Sequence, residues 1–168
     1  KNNKTINRDT GANISALIAV HVYGNSCNIL EISRICKKFN IKLLEDCAGA
    51  LGTFTKTNKG LRHVGRFGEA GCLSFNGNKI ITTGGGGAVF TESEKIYSKL
   101  LHLSTTARVN HPFEIEHNDI GWNDRMPNLN ASLGLTSVLR IHVWIISPVL
   151  SFDVALSKPV AIKTIGDP

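Results

Sequence analysis

The sequence predicts an α/β fold built on a mainly parallel sheet flanked by helices, and three stretches predict it. Ala16 to Tyr23, "ALIAVHVY", is a continuous apolar run of strand length. Asn28 to Phe39 carries apolar residues at helical spacing, and Ile41 to Asp46, "IKLLED", is a second strand. Strand, helix and strand within about 30 residues make a βαβ unit, whose right-handed crossover leaves the strands parallel with their carboxyl ends on one rim. Open α/β sheets bind ligands at that rim. Here it holds His21 to Asn25 and Glu45-Asp46.

The first run lacks polar alternation, which predicts a strand covered on both faces. Asn28 with Glu31 three residues on reads as a capping box, and Ile29, Ile32, Ile35, Cys36 and Phe39 give the helix an apolar stripe. Gly52 to Gly68 predicts a hairpin excursion around Lys56-Thr57-Asn58-Lys59-Gly60. Gly71 to Phe75 and Ala88 to Thr91 predict short buried strands flanking a loop that holds one lysine and four glycines. Thr91 with Glu94 predicts a capped helix to about Leu103, and Met126 to Leu139 a further helix.

Composition narrows the function classes. The 168 residues, 42% hydrophobic and 19% charged, suffice for one domain with a core. Cys27, Cys36, Cys47 and Cys72 have no C-x-x-C pairing and no histidine at finger spacing, so reduced thiols are expected rather than a zinc site or a disulfide framework. No stretch has the layout of a signal peptide, and the most apolar segment, Val138 to Leu156, is broken by Arg140, His142, Pro148 and Asp153. A soluble cytoplasmic protein without a membrane span is expected. The net charge of +6 is scattered and not interleaved with aromatics, so nucleic acid is not expected, and a phosphorylated small molecule suits the charge equally well. His111 and His117 lack a ligand-spaced helix and read as surface groups rather than metal ligands.

The chemistry concentrates in Ser74 to Gly87, "SFNGNKIITTGGGG". A Walker A loop fails, because Lys79 precedes the glycines; a dinucleotide fingerprint fails, because its third glycine position, counted from Gly84, is Val89. A lysine that bonds covalently to pyridoxal phosphate fits a short loop at the rim, where small neighbours admit a flat ring. That cofactor also needs an acid at its pyridine nitrogen, for which Asp46 stands at a strand end, and donors for its phosphate, for which Ser74 stands five residues before Lys79. Spacing leaves plainer readings open: an Asp after a strand is ordinarily a turn residue, a Ser there a cap, and a Lys among glycines a solvent-facing group. Glu45, next to Asp46, points to the opposite face and receives no role.

Four ordered stretches, "ALIAVHVYGN", "IKLLEDCAGALG", "GCLSFNGNKIITTGGGGAVF" and "HNDIGWNDRMPNLNASLG", resemble the DegT/DnrJ-type nucleotide-sugar aminotransferases, a pyridoxal-phosphate family of the aspartate aminotransferase fold. Within it they are most similar to enzymes that aminate C4 of UDP-2-acetamido-2,6-dideoxy-4-keto-hexoses, of the bacillosamine and legionaminic acid type. The likeness runs from about Ile14 to Gly134. It implies part of the fold type I large domain and ping-pong transamination with L-glutamate as amino donor. It implies Lys79 as the catalytic lysine that links to the cofactor, Asp46 as the pyridinium partner and Ser74 as a phosphate ligand. Asn123 would reach the phosphate of a neighbouring subunit's cofactor, which implies a homodimer, and Arg125 would order its loop. A sister group of sugar dehydratases has histidine in place of the lysine, so Lys79 argues against that branch.

Departures from the family pattern are Gly49 where Gln or Glu is common, Ala19 where proline is usual, and Trp122 and Asp124 where tyrosine is frequent. The resemblance divides the chain into a polar lead-in over 1–15, a partial cofactor-binding domain over 16–139, and an atypical tail over 140–168 with no small C-terminal domain. The resulting expectation is a shortened member of the family, active as a sugar aminotransferase or, as the alternative, a catalytically inactive fragment.

Overall fold

The computed structural model describes residues 5–135. In chain order the elements are β1 (Ala16–Val20), α1 (Ile29–Lys38), β2 (Lys42–Asp46), β3 (Phe54–Thr57), β4 (Gly60–His63), β5 (Ala70–Ser74), β6 (Gly87–Phe90), α2 (Glu94–Ser104), β7 (Arg108–Val109) and β8 (Glu116–His117). Residues 128–135 are helical as well, and the rest of the helix expected to reach Leu139, with the segment Val138 to Leu156 and the tail, lies outside the described residues. The described residues form two compact units: one takes residues 5–74 with Ala88–Leu100, the other Phe75–Gly87 with residues 101–135.

In the first unit a four-stranded sheet has the order β1-β2-β5-β6. β1 is parallel to β2, with Val20 opposite Asp46, and β2 is parallel to β5, with Asp46 opposite Cys72. The βαβ unit expected from the sequence is therefore present, and the carboxyl ends of β1, β2 and β5 share a rim. Ala19, Ile29, Cys36 and Leu43 form the core between sheet and α1, with Leu17, Ile32 and Phe67 packed around it. β3 and β4 make the expected antiparallel hairpin, closed by Thr57, whose hydroxyl donates to the Gly60 carbonyl and accepts the Lys59 N–H. The lead-in forms a small turn of its own, with Ile6 bridged to Asn13.

Three expectations need correcting. β1 is covered on one face only: Ala19 is buried, while Ile18 is 64% and Val20 49% exposed, because alternation points them away from α1. The α1 face is rotated from the expected stripe, so that Ser33 is buried while Ile35 and Phe39 are exposed. Neither capping box forms. Asn28 makes no side-chain cap, and Glu31 instead binds Arg34 one turn on. At α2 the cap is Ser93, whose Oγ accepts the Ile96 N–H at 3.4 Å, and Thr91 bonds the Glu69 carbonyl instead.

In the second unit, the loop after β5 is closed by Phe75, whose N–H donates to the Gly86 carbonyl and whose carbonyl accepts the Thr83 N–H. Ile81 and Thr83 are its buried anchors. Asn130 donates to the Thr83 carbonyl at 2.6 Å, and Met126 lies against Gly86, so the segment after Trp122 packs on this loop. β7 and β8 pair antiparallel.

Candidate functional site

The rim is built from the last residues of β2 and β5. Asp46 ends β2 half-buried, and its Oδ1 accepts the Ala48 N–H at 2.9 Å, an Asx-type turn that fixes the carboxylate as the chain leaves the sheet. Among the described residues no hydrogen bond is made to its second oxygen, Oδ2. The Asp46 carbonyl accepts the N–H of His21, the first residue after β1, at 3.0 Å, and the Cys47 N–H reaches the Cys72 carbonyl across to β5. Ser74 ends β5, two residues beyond Cys72, the register partner of Asp46. The sequence expects Asp46 and Ser74 at strand ends on one rim, and the structure places those ends on neighbouring parallel strands.

Burial, and then the charge of Asp46, push the Cys72 thiol up from its ordinary value. Burial followed by the charge of Glu45 does the same to Cys27. Neither is an activated nucleophile. A cleft lined by Ser33, Arg62, Phe67 and Glu92 lies at the amino ends of β2 and β5, the opposite rim from Asp46.

Lys79 belongs to the second unit. It is half-buried in a turn in which its N–H donates to the Asn76 carbonyl, between an exposed Asn78 and an exposed Ile80. The glycines have a backbone reason that the sequence does not announce. Gly84 and Gly86 sit at φ +77° and +100°, and a Cβ on Gly86 would come within 2.8 Å of the Met126 methyl. Asn123 is exposed, in a backbone bridge to Thr105, and its segment is held on the end of α2 by the Trp122 N–H to the Leu103 carbonyl and the Asp124 N–H to the Ser104 carbonyl. Among the described residues no group of three His, Cys, Asp or Glu side chains could hold a metal ion, and no helix is long and apolar enough to cross a membrane. His111 and His117 are engaged locally, His111 Nδ1 with the Glu114 N–H and His117 Nδ1 with the Thr106 carbonyl.

Glu45 has a role that spacing does not reveal. It is 2% exposed and points to the side of β2 opposite Asp46. Its Oε1 accepts the N–H groups of Phe67 at 2.6 Å and Gly68 at 2.8 Å; its Oε2 accepts the Gly65 N–H at 2.7 Å and faces His21 Nε2 at 3.1 Å. His21 Nδ1 takes the Cys27 N–H at 3.3 Å, so Nε2 carries the ring proton and donates it to Glu45. The readable signal is a carboxylate at an inward strand position, followed about 20 residues later by the glycine-containing turn "GRFG" whose amides can reach it.

Residues 2–147 match the DegT/DnrJ/EryC1/StrS aminotransferase family. The chain belongs to this family. The four motifs that resemble it lie within the match, and the fold expected from them is confirmed. Over 123 residues the chain is 38% identical to GDP-perosamine synthase of Escherichia coli O157:H7, a match covering 73% of this chain and 32% of that protein. It is 32% identical over 130 residues to the UDP-4-amino-4,6-dideoxy-N-acetyl-beta-L-altrosamine transaminase of Campylobacter jejuni, covering 77% and 34%. Among solved structures it resembles Helicobacter pylori PseC, an aminotransferase involved in the biosynthesis of pseudoaminic acid, with TM-score 0.69, 30% identity, and coverage of 77% of this chain and 34% of that one. The chain spans about a third of the length of the curated relatives it matches. The family's enzymes depend on pyridoxal phosphate. The donor set at the rim suits that group: a carboxylate with one oxygen anchored and the other available, beside a hydroxyl on the adjacent strand.

Proposed function

We propose that this chain carries the cofactor rim of a sugar aminotransferase that moves an amino group from L-glutamate to the C4 ketone of a nucleotide-linked 4-keto-6-deoxy sugar. The proposed sugar is a UDP-2-acetamido-2,6-dideoxy-4-keto-hexose, and the product a cytoplasmic precursor of cell-surface glycan. The observation that carries the reading is Asp46 at the carboxyl end of β2, held by the Ala48 N–H, with Ser74 ending the neighbouring strand and Lys79 five residues further along the chain. The uridine-linked substrate is supported by relatives named as UDP-sugar transaminases in Campylobacter jejuni and Helicobacter pylori.

Bound pyridoxal phosphate supplies an aldehyde and a ring that accepts electrons. The Asp46 carboxylate would hold the ring nitrogen protonated, and the Ser74 hydroxyl would donate to the phosphate. Lys79 Nζ would hold the aldehyde carbon covalently and, with its amine free, would act as the base that carries a proton away from the donor's Cα and as the acid that delivers one to the sugar's C4. Asn123 serves the phosphate of a second subunit in a homodimer.

Incubating the chain with pyridoxal phosphate, reducing with borohydride and mapping the adduct by mass spectrometry tests this. Label on the peptide containing Lys79, absent from Lys79→Arg, is expected. Label spread over surface lysines, or none, would overturn it. Amination of a UDP-linked but not a GDP-linked keto-sugar is expected, and the reverse preference would remove the uridine assignment.

A further inference from the structure

We infer that Glu45 is a positioning residue for Asp46, acting through His21; the inference rests on the cofactor reading just given. Asp46 has to keep its carboxylate aimed at one ring atom from the last position of a strand, where the sheet's hydrogen bonds run out. On one side the strand end is tied to β5 by the Cys47 N–H. On the other, the tie is His21, and β2 grips it twice: the Asp46 carbonyl takes its main-chain N–H, and the Glu45 carboxylate takes its ring proton. His21 is fixed in turn by the Cys27 N–H just before α1. The same carboxylate seats the turn Gly65–Gly68: Gly65 shares Oε2 with His21, and Phe67 and Gly68 bond Oε1.

The donor count shows why this position takes a carboxylate. Each oxygen meets two donors, four in all, and the group is shielded from water. An ionised Glu accepts all four. A Gln has the same shape, but whichever way its amide is turned, the NH2 faces two N–H donors and repels both. The site is matched to charge as well as to shape, and its effect reaches Asp46 through His21, which both acids hold.

The test uses the 168-residue chain loaded with pyridoxal phosphate labelled at its ring nitrogen, whose NMR shift reports ring protonation. The wild-type chain is expected to show the protonated ring nitrogen, and Asp46→Asn to lose it. Glu45→Gln and His21→Leu are expected to move the signal partway toward the Asp46→Asn position. Amide exchange at Gly65, Phe67 and Gly68 should rise by about tenfold or more in Glu45→Gln. A purely structural Glu45 would lower the unfolding midpoint and leave the ring signal in place, and that result overturns the inference. Should Glu45→Gln fail to fold, His21→Leu, which keeps three of the four donors, decides by the same signal. Failure of the wild-type chain to take up the cofactor, or an Asp46→Asn signal equal to wild type, overturns the cofactor reading and this inference with it. A response to Asp46→Asn with none to the other two variants overturns the inference alone.

Discussion

Gly49 stands three residues after Asp46, where the resembled family commonly has a polar side chain, and the backbone does not demand a glycine there. A Cβ would meet the Tyr23 and Gly24 main chain at ordinary contact distances of 3.8–4.0 Å. Gly65 is the opposite case: its φ is +86°, and a Cβ would stand 2.3 Å from the Phe90 ring and 2.8 Å from Cys47 Sγ. Gly49→Gln is therefore expected to shift stability by less than about 0.5 kcal/mol, and Gly65→Ala to cost about 2–4 kcal/mol, measured by denaturant unfolding. The same packing acts on Cys47. Burial, and next the charge of Glu45, push its thiol up from 9.0 to about 12. The folded state favours the neutral thiol, so its contribution to stability is whole below 9.0 and drains away as pH rises toward about 12. Cys47→Ala should flatten that alkaline fall in the unfolding midpoint, and an unchanged slope would mean that Cys47 is not the group responsible.

At the scale of elements, the caps separate what the letters suggest from what the backbone does. Asn28 and Thr91 carry the sequence signal, yet Ser93 holds the only side-chain cap at the start of α1 or α2 among the described residues. Ser93→Ala should cost about 1 kcal/mol and Asn28→Ala less than about half that, read from thermal unfolding. Equal losses would show that Asn28 caps in solution. The strands themselves were legible, because β1, β2 and the β3–β4 hairpin follow from apolar runs and turn residues. The one-sided burial of β1 was not, since a sequence records that a residue is apolar but not whether a layer is present to cover it. That Asp46 and Ser74 stand at strand ends was legible, while their cofactor roles and that of Lys79 belong to the proposal. The Glu45 network was legible only as an inward carboxylate ahead of a glycine-containing turn, because three of its four donors are main-chain N–H groups, which every residue except proline possesses. The glycine run suits clearance for a flat ring, and at Gly84 and Gly86 the backbone conformation favours glycine as well.

For the whole molecule, the decisive balance is between a net charge of +6, which opposes self-association, and an apolar sheet face, which favours it. On β1 and β2 the large apolar residues pointing away from α1 are Ile18, Val20 and Leu44; Ile18 and Leu44 are register partners, and all three are exposed. Parallel sheets are stable with both faces covered, so these side chains are expected to seek apolar contact at high protein concentration. Charge repulsion is screened within about 10 Å at 0.1 M salt, whereas apolar attraction is not weakened by salt. Aggregation measured by light scattering should therefore rise with added salt. Ile18→Thr with Val20→Thr keeps the β-branched shape that suits a strand and removes apolar area, so it should suppress the rise while leaving the far-ultraviolet dichroism unchanged. If the double variant scatters as strongly as the parent, the sheet face is not the adhesive surface. If scattering falls with salt instead, electrostatic contact outweighs apolar contact in holding the copies together.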